Sequence, residues 1–189
     1  MQYRTFPTST LNWDLHPADL LTRQLTSDLN LRGDGHNFET TAELTEQTAT
    51  VTDLNGSISA AYINAVSEPQ GLTFTGTISV PHLDVAGNWR CFTHVDGKVT
   101  WPGGKIISRS PMGTQLLDLP PLEGDLALNG ENVVLTVHHL TSPVLDIVVK
   151  PSGWIAVAVK ARLFDLAEVA WPAGSGLDDT VLEFEEKVF

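Results

Sequence analysis

The stretch LEGDLALNGENVVLTVHHLTSPVLDIVVKPSGWIAVAVKARL at 122–163 decides the fold. Leu122, Leu126 and Leu128 alternate with Glu123, Asp125 and Asn129. That period of two makes one face of a strand oily and the other wet. Asn129-Gly130 follows, a dipeptide that accepts positive φ and so favours a tight turn. Val133, Leu135 and Val137 carry the next strand, and Thr141-Ser142-Pro143 breaks it. Leu145 to Val149 resumes, Pro151-Ser152-Gly153 turns, and Trp154 to Leu163 completes the set. The reading is a four-strand antiparallel meander.

Working outward, the same period recurs more weakly. Strands are expected near Asn12–Leu15, Leu25–Leu31, Phe38–Leu44, Thr48–Asp53, Ser57–Ile63, Thr73–Val80, Asp84–Arg90, Val95–Trp101, Lys105–Ser108 and Thr114–Leu117. Short helices are expected at Pro17–Thr22, with proline at a first helical position, and near Phe164–Val169. GSISA at 56–60, GTISV at 76–80, GKVTW at 97–101 and GDLAL at 124–128 share one pattern of glycine, polar, aliphatic, polar, apolar. Their spacing of about two strands reads as a stack of similar strand pairs. No Pro-, Gly- or Ser-rich linker divides the chain, so residues 1–189 read as one β unit. The fold class is all-β: a long, curved, mainly antiparallel sheet. It would cover its apolar side by rolling into a sandwich or an open barrel.

The chain of 189 residues is long enough to bury a core, and its 42% hydrophobic and 18% charged content argue against disorder. Eleven basic against 23 acidic residues give a net charge of -12. That sign repels phosphate backbones and anionic headgroups, which argues against nucleic acid and direct membrane-surface binding. No apolar run approaches the length of a membrane helix. The single Cys91 forms no internal disulfide or cysteine zinc cluster. Residues 164–189 hold seven acids against one base, Lys187. Within them Asp178, Asp179, Glu183, Glu185 and Glu186 are the candidate docking residues for a basic partner.

No constellation for catalysis, metal or cofactor emerges. His16, His36, His82, His94, His138 and His139 show no metal-ligand spacing, and adjacent His138 and His139 face opposite sides of a strand. Asp28, Asn30, Gly33 and Glu39 fall at EF-hand spacing, but Arg32 puts a cation where an oxygen ligand belongs. A Gly33-Asp34-Gly35 hairpin turn is the better reading. Cys91 packs as a small apolar residue, and GSG at 174–176 lacks the strand–turn–helix context of a nucleophile elbow. Gly103-Gly104-Lys105 lacks the flanking residues of a phosphate loop. Trp13, Trp89, Trp101, Trp154 and Trp171 read as core anchors or strand-end plugs, or as the lining of a groove for an apolar ligand or partner strand.

LNWDLHPADLL at 11–21, GKVTW at 97–101, LPPLEGDL at 119–126, and the ending from Gly153-Trp154 to VLEF at 181–184 occur in a telling order. In order and spacing they resemble the N component of the bacterial type II secretion machinery. The resemblance implies a periplasmic β body behind a short cytoplasmic stub and one inner-membrane helix. Neither stub nor helix is in this chain. It further implies a non-enzymatic accessory of protein secretion, with other secretion-system proteins as partners and no cofactor. A distant similarity to AsmA-type proteins implies the alternative: a β-groove that binds lipid or another apolar ligand.

Overall fold

In a computed structural model, residues 9–68, 72–110 and 113–187 are described. The elements in chain order are β1 (Ser9–Leu15), a 3-10 helix (Pro17–Thr22), β2 (Leu25–Gly33), β3 (His36–Leu44), β4 (Ala49–Ser59) and α1 (Ala60–Ser67). There follow β5 (Leu72–Phe74), β6 (Thr77–Gly87), β7 (Phe92–Trp101), β8 (Gly104–Ser110), β9 (Gly113–Leu119) and β10 (Leu122–Asn129). The chain ends with β11 (Asn132–His139), β12 (Ser142–Val149), β13 (Trp154–Lys160), α2 (Ala161–Leu166) and β14 (Thr180–Lys187).

Eleven strands form one open antiparallel sheet in the order β1-β2-β3-β4-β6-β7-β10-β11-β12-β13-β14. The meander at 122–163 is β10 to β13, and Gly130 turns its first hairpin with φ 62°. The Gly33-Asp34-Gly35 turn likewise joins β2 to β3, with Gly35 at φ 89°. The sheet is not closed into a barrel, because β1 and β14 remain its two edges. Register shifts at Glu39/Thr41, Ser79/His82, Ala86/Gly87, Val137/His138 and Val159/Lys160 mark bulges, the usual source of bending and extra twist.

Several boundaries differ from the sequence expectation. Ser57–Ile63 is strand only as far as Ser59. The chain leaves β4 at Ser59, whose Oγ accepts the Ala61 N–H at 3.3 Å and caps α1. Thr48–Asp53 and Ser57 onward fuse into β4, which absorbs Asp53 at φ 52°. Thr73–Val80 breaks at Gly76 (φ 96°), sending β5 and β6 to different sheets. Leu163 lies in α2, which opens earlier than expected because its first N–H groups find tertiary acceptors. Ala161 donates to Asp179 O and Arg162 to Leu177 O, both at 2.9 Å.

The glycine-led stretches are not strand pairs stacked at a fixed offset. They lie on four consecutive neighbours, β4, β6, β7 and β10. The first two pair with each other, Gly56 opposite Val80 and Ile58 opposite Ile78. The last two do the same, with Val99 opposite Gly124.

A three-stranded sheet, β5-β8-β9, sits at one end of the large one. Trp101 ties the two together by donating its Nε1–H to Thr75 O at 3.0 Å. The core forms here: Leu119, Leu122 and Val144 are buried, packed by Trp101, Ile106, Val137, Leu145, Leu163 and Leu166. Beyond it the large sheet has no covering layer among the described residues. The accessible surface, 12154 Å², reflects this. A compact monomer of this mass exposes only about 8,900 Å².

Candidate functional site

The five candidate docking acids lie on two pieces of the chain. Asp178 and Asp179 lie in the turn before β14. Arg162 donates to Asp178 Oδ1 at 2.7 Å, and that bond, then the guanidinium charge, holds the Asp178 carboxyl below its ordinary pKa. Asp179 Oδ2 accepts the Gly176 N–H at 2.7 Å. With the carbonyls that receive α2, these two residues build a helix-docking turn. Glu183, Glu185 and Glu186 stand on β14, opposite Ala158, Ala156 and Ile155. Strand alternation puts Glu183 and Glu185 on one face and Glu186 on the other. Glu185 is paired with Lys150 at 2.7 Å.

The register separates the large sheet into two unlike faces. One carries Leu11, Trp13 and Leu15 on β1, Leu29 and Leu31 on β2, Val51 and Ile58 on β4, and Val85 on β6. It continues through Val99, Leu126, Leu135, Ile147 and Val157 to Phe184 on β14. This apolar face crosses all eleven strands, and its margins are the most open. Trp13 is 64% exposed, Leu182 48% and Phe184 42%.

The opposite face is polar and acidic. Histidines and a lysine are interleaved with its carboxylates. His16 Nε2 meets Asp28 Oδ2 at 3.0 Å, and the Thr41 hydroxyl donates to Asp28 Oδ1 at 2.7 Å. Those two hydrogen bonds, the threonine's foremost, lower the Asp28 pKa. His138 lies between Glu123 and Asp125, which Lys98 also reaches. A shallow cleft of about 500 Å³ opens over β1 to β4, lined by Asp14, Asp28, Glu39 and Asp53 among others. Of the EF-hand-like residues, Asp28, Asn30 and Glu39 contribute to it. Asn30 and Arg32 both donate to Glu39 Oε1, at 2.7 and 3.2 Å.

Asp53, His82 and Asp84 are brought together with ligand atoms within 4.8 Å of one another. No short spacing in the sequence announces this trio, since β4 supplies one member and β6 the others. Asp84 also accepts the Asp53 N–H at 2.8 Å, which stabilises the left-handed turn at Asp53. The tryptophans divide. Trp101 packs against the core as expected, whereas Trp89 is 79% exposed at the tip of the β6–β7 turn and plugs nothing. Cys91 stands in that turn, not on a strand, with its N–H donated to Asn88 Oδ1.

A family model described as type II secretion system (T2SS), protein N matches residues 1–163. The match takes in every strand of the large sheet except β14. No curated protein and no solved structure matches the chain.

Proposed function

This chain belongs to the type II secretion system protein N family, and from that premise we propose that it is a non-enzymatic assembly component acting through protein–protein contacts in the periplasm. In this reading the β body is tied to the inner membrane by an N-terminal helix that precedes it in the full-length protein. Its partners are other proteins of the secretion system. The observation that carries the reading, beside the family match, is surface. The chain exposes roughly 3,000 Å² more than a compact protein of its mass. A standard interface buries about 1,200–2,000 Å² over both partners. A component that is completed by its neighbours needs such a reserve.

Among the acids, the reading narrows the contact to β14. Glu183, Glu185 and Glu186 are its proposed partner-binding residues, and Glu185 is also paired with Lys150. Asp178 and Asp179 contribute by holding α2 and the start of that strand. A photo-crosslinking residue at position 183, in cells that carry the whole system, tests this. Adducts with other secretion-system proteins are expected at 183 and not at position 47, in the turn between β3 and β4. Equal adducts at both positions, or none containing a system component, would overturn the assignment.

The apolar face favours a second reading, that of a groove for lipid or another apolar ligand. Its support is the continuity of aliphatic side chains across the eleven strands. Native mass spectrometry of the gently purified protein should then show bound lipid. Bare protein, with no gain in stability on adding phospholipid, would count against it.

A further inference from the structure

The two edges of the large sheet are not alike. β14 carries Glu183, Glu185 and Glu186 in eight residues. Charge of that density on an edge strand discourages pairing with another strand. β1 is exposed at every position, and its only charged residue is Asp14. The backbone phase of β1 follows from one bond: His16 N–H donates to Thr26 O at 3.0 Å. In the β1–β2 register His16 continues the ladder opposite Thr26. Even-numbered residues of β1 therefore turn their N–H and C=O toward β2. Leu11, Trp13 and Leu15 turn theirs outward, to the edge.

We propose that β1 pairs with β1 of a second copy of this chain, antiparallel, with the two-fold axis at Asn12. The outward-facing odd residues must meet odd residues of the partner strand, so the registers available are few. The one centred on Asn12 uses all seven residues. It sets Leu11 opposite Trp13 and Ser9 opposite Leu15 on the apolar face. On the polar face it sets Thr10 opposite Asp14 and Asn12 opposite itself. No like charges meet. An axis normal to the sheet leaves both apolar faces on the same side, so they join into one surface, and the open flank of Trp13 is covered. The same operation on β14 would bring glutamates of the two copies against each other. β1 against β14 would set Asp14 beside an acidic strand. The pairing needs no assumption about secretion.

Sedimentation of the full chain over a dilution series reads the first consequence. The mass should rise from 20.5 kDa toward twice that value with concentration. Trp13→Pro removes an outward N–H and leaves the bonds to β2 in place, so it should sediment as monomer. Asn12→Cys in a Cys91→Ser background tests the register. Directly opposed residues of a non-hydrogen-bonded antiparallel pair lie about 4.5 Å apart at Cα, within disulfide reach. Mild oxidation should yield a covalent dimer, and Glu183→Cys in the same background should not. A monomer at every concentration, a dimer that survives Trp13→Pro, or crosslinking of the two cysteine variants at equal rates would overturn the proposal.

Discussion

Replacing Gly56 by alanine should be among the most damaging single-methyl changes in this molecule. Gly56 sits in β4 opposite Phe38 of β3 and Val80 of β6. A Cβ there would lie 2.1 Å from the Asn37 carbonyl oxygen, 2.6 Å from Phe38 Cδ1 and 2.8 Å from Phe38 Cα. Carbon contacts are comfortable only at about 3.5–4.0 Å. Two of the three obstacles are backbone of β3, so no rotamer change relieves them, and the strands must separate. Overpacking of this kind costs about 1–3 kcal/mol. Two ladder hydrogen bonds disturbed with it add about 0.5–1.5 kcal/mol each. The sum is about 2–6 kcal/mol, against about 5–15 kcal/mol for a whole domain.

Gly130→Ala supplies the comparison. Gly130 has a left-handed φ of 62°, but nothing lies within 4 Å of its added Cβ. Its cost is conformational only, about 1–2 kcal/mol. Urea unfolding followed by tryptophan fluorescence separates the two. With a slope of about 1–3 kcal/mol per molar, Gly56→Ala should move the midpoint well beyond Gly130→Ala at an unchanged slope. Equal midpoints, or a larger loss at Gly130, would refute the claim that crowding by β3 dominates backbone freedom.

Val144 is wholly buried in one cluster with Leu119 and Leu122, so Val144→Ala should lower stability by about 2–3 kcal/mol in the same urea assay. Trp101→Phe keeps most of the ring but leaves Thr75 O without its donor, which should cost about 1–3 kcal/mol. Its signature is earlier hydrogen exchange in β5 and β8 than in β11 and β12. Asp28 has its carboxyl pKa depressed by Thr41 and His16, so it stabilises the fold above its ordinary value of 3.8 and loses that contribution as pH falls through the lower folded value. Asp28→Asn should therefore flatten the acid limb of stability below about pH 4, measured as Tm against pH; an unchanged limb would count against the Asp28 network.

The meander was legible because its strands keep aliphatic side chains on one face and polar ones chiefly on the other. Period two then survives in the sequence from Leu122 to Val149. The first half of the chain hid its boundaries where a local signal competed with that period. Ser59 reads as one more polar position of a strand until its capping role is seen, and Thr75-Gly76 reads as strand interior although the chain changes sheets there. The trio Asp53, His82 and Asp84 was invisible for a different reason. Its members meet only through the β4–β6 register, across the excursion made by α1 and β5. In the acidic tail it was local hydrogen bonds that the sequence hid. Asp178 and Asp179 look like free charge in a list of residues, yet each is bound to a specific donor near α2.

Placed on the structure, the net charge of -12 acquires a direction. The carboxylates stand chiefly on one face of the sheet and along β14. On that face they are spaced by His16, His82, Lys98 and His138, which keeps repulsion tolerable without making the surface neutral. A sheet with two exposed faces and two open edges has four ways to associate, and the acids oppose two of them for any neighbour of like sign. What remains is the apolar face and the β1 edge, and the two adjoin at Leu11, Trp13 and Leu15. A strand with a single charge, Asp14, that opens directly onto an uncovered aliphatic surface gives an incoming strand backbone bonds and apolar burial in one event. Self-association of this protein is thereby biased toward β1, and the acidic composition is the reason.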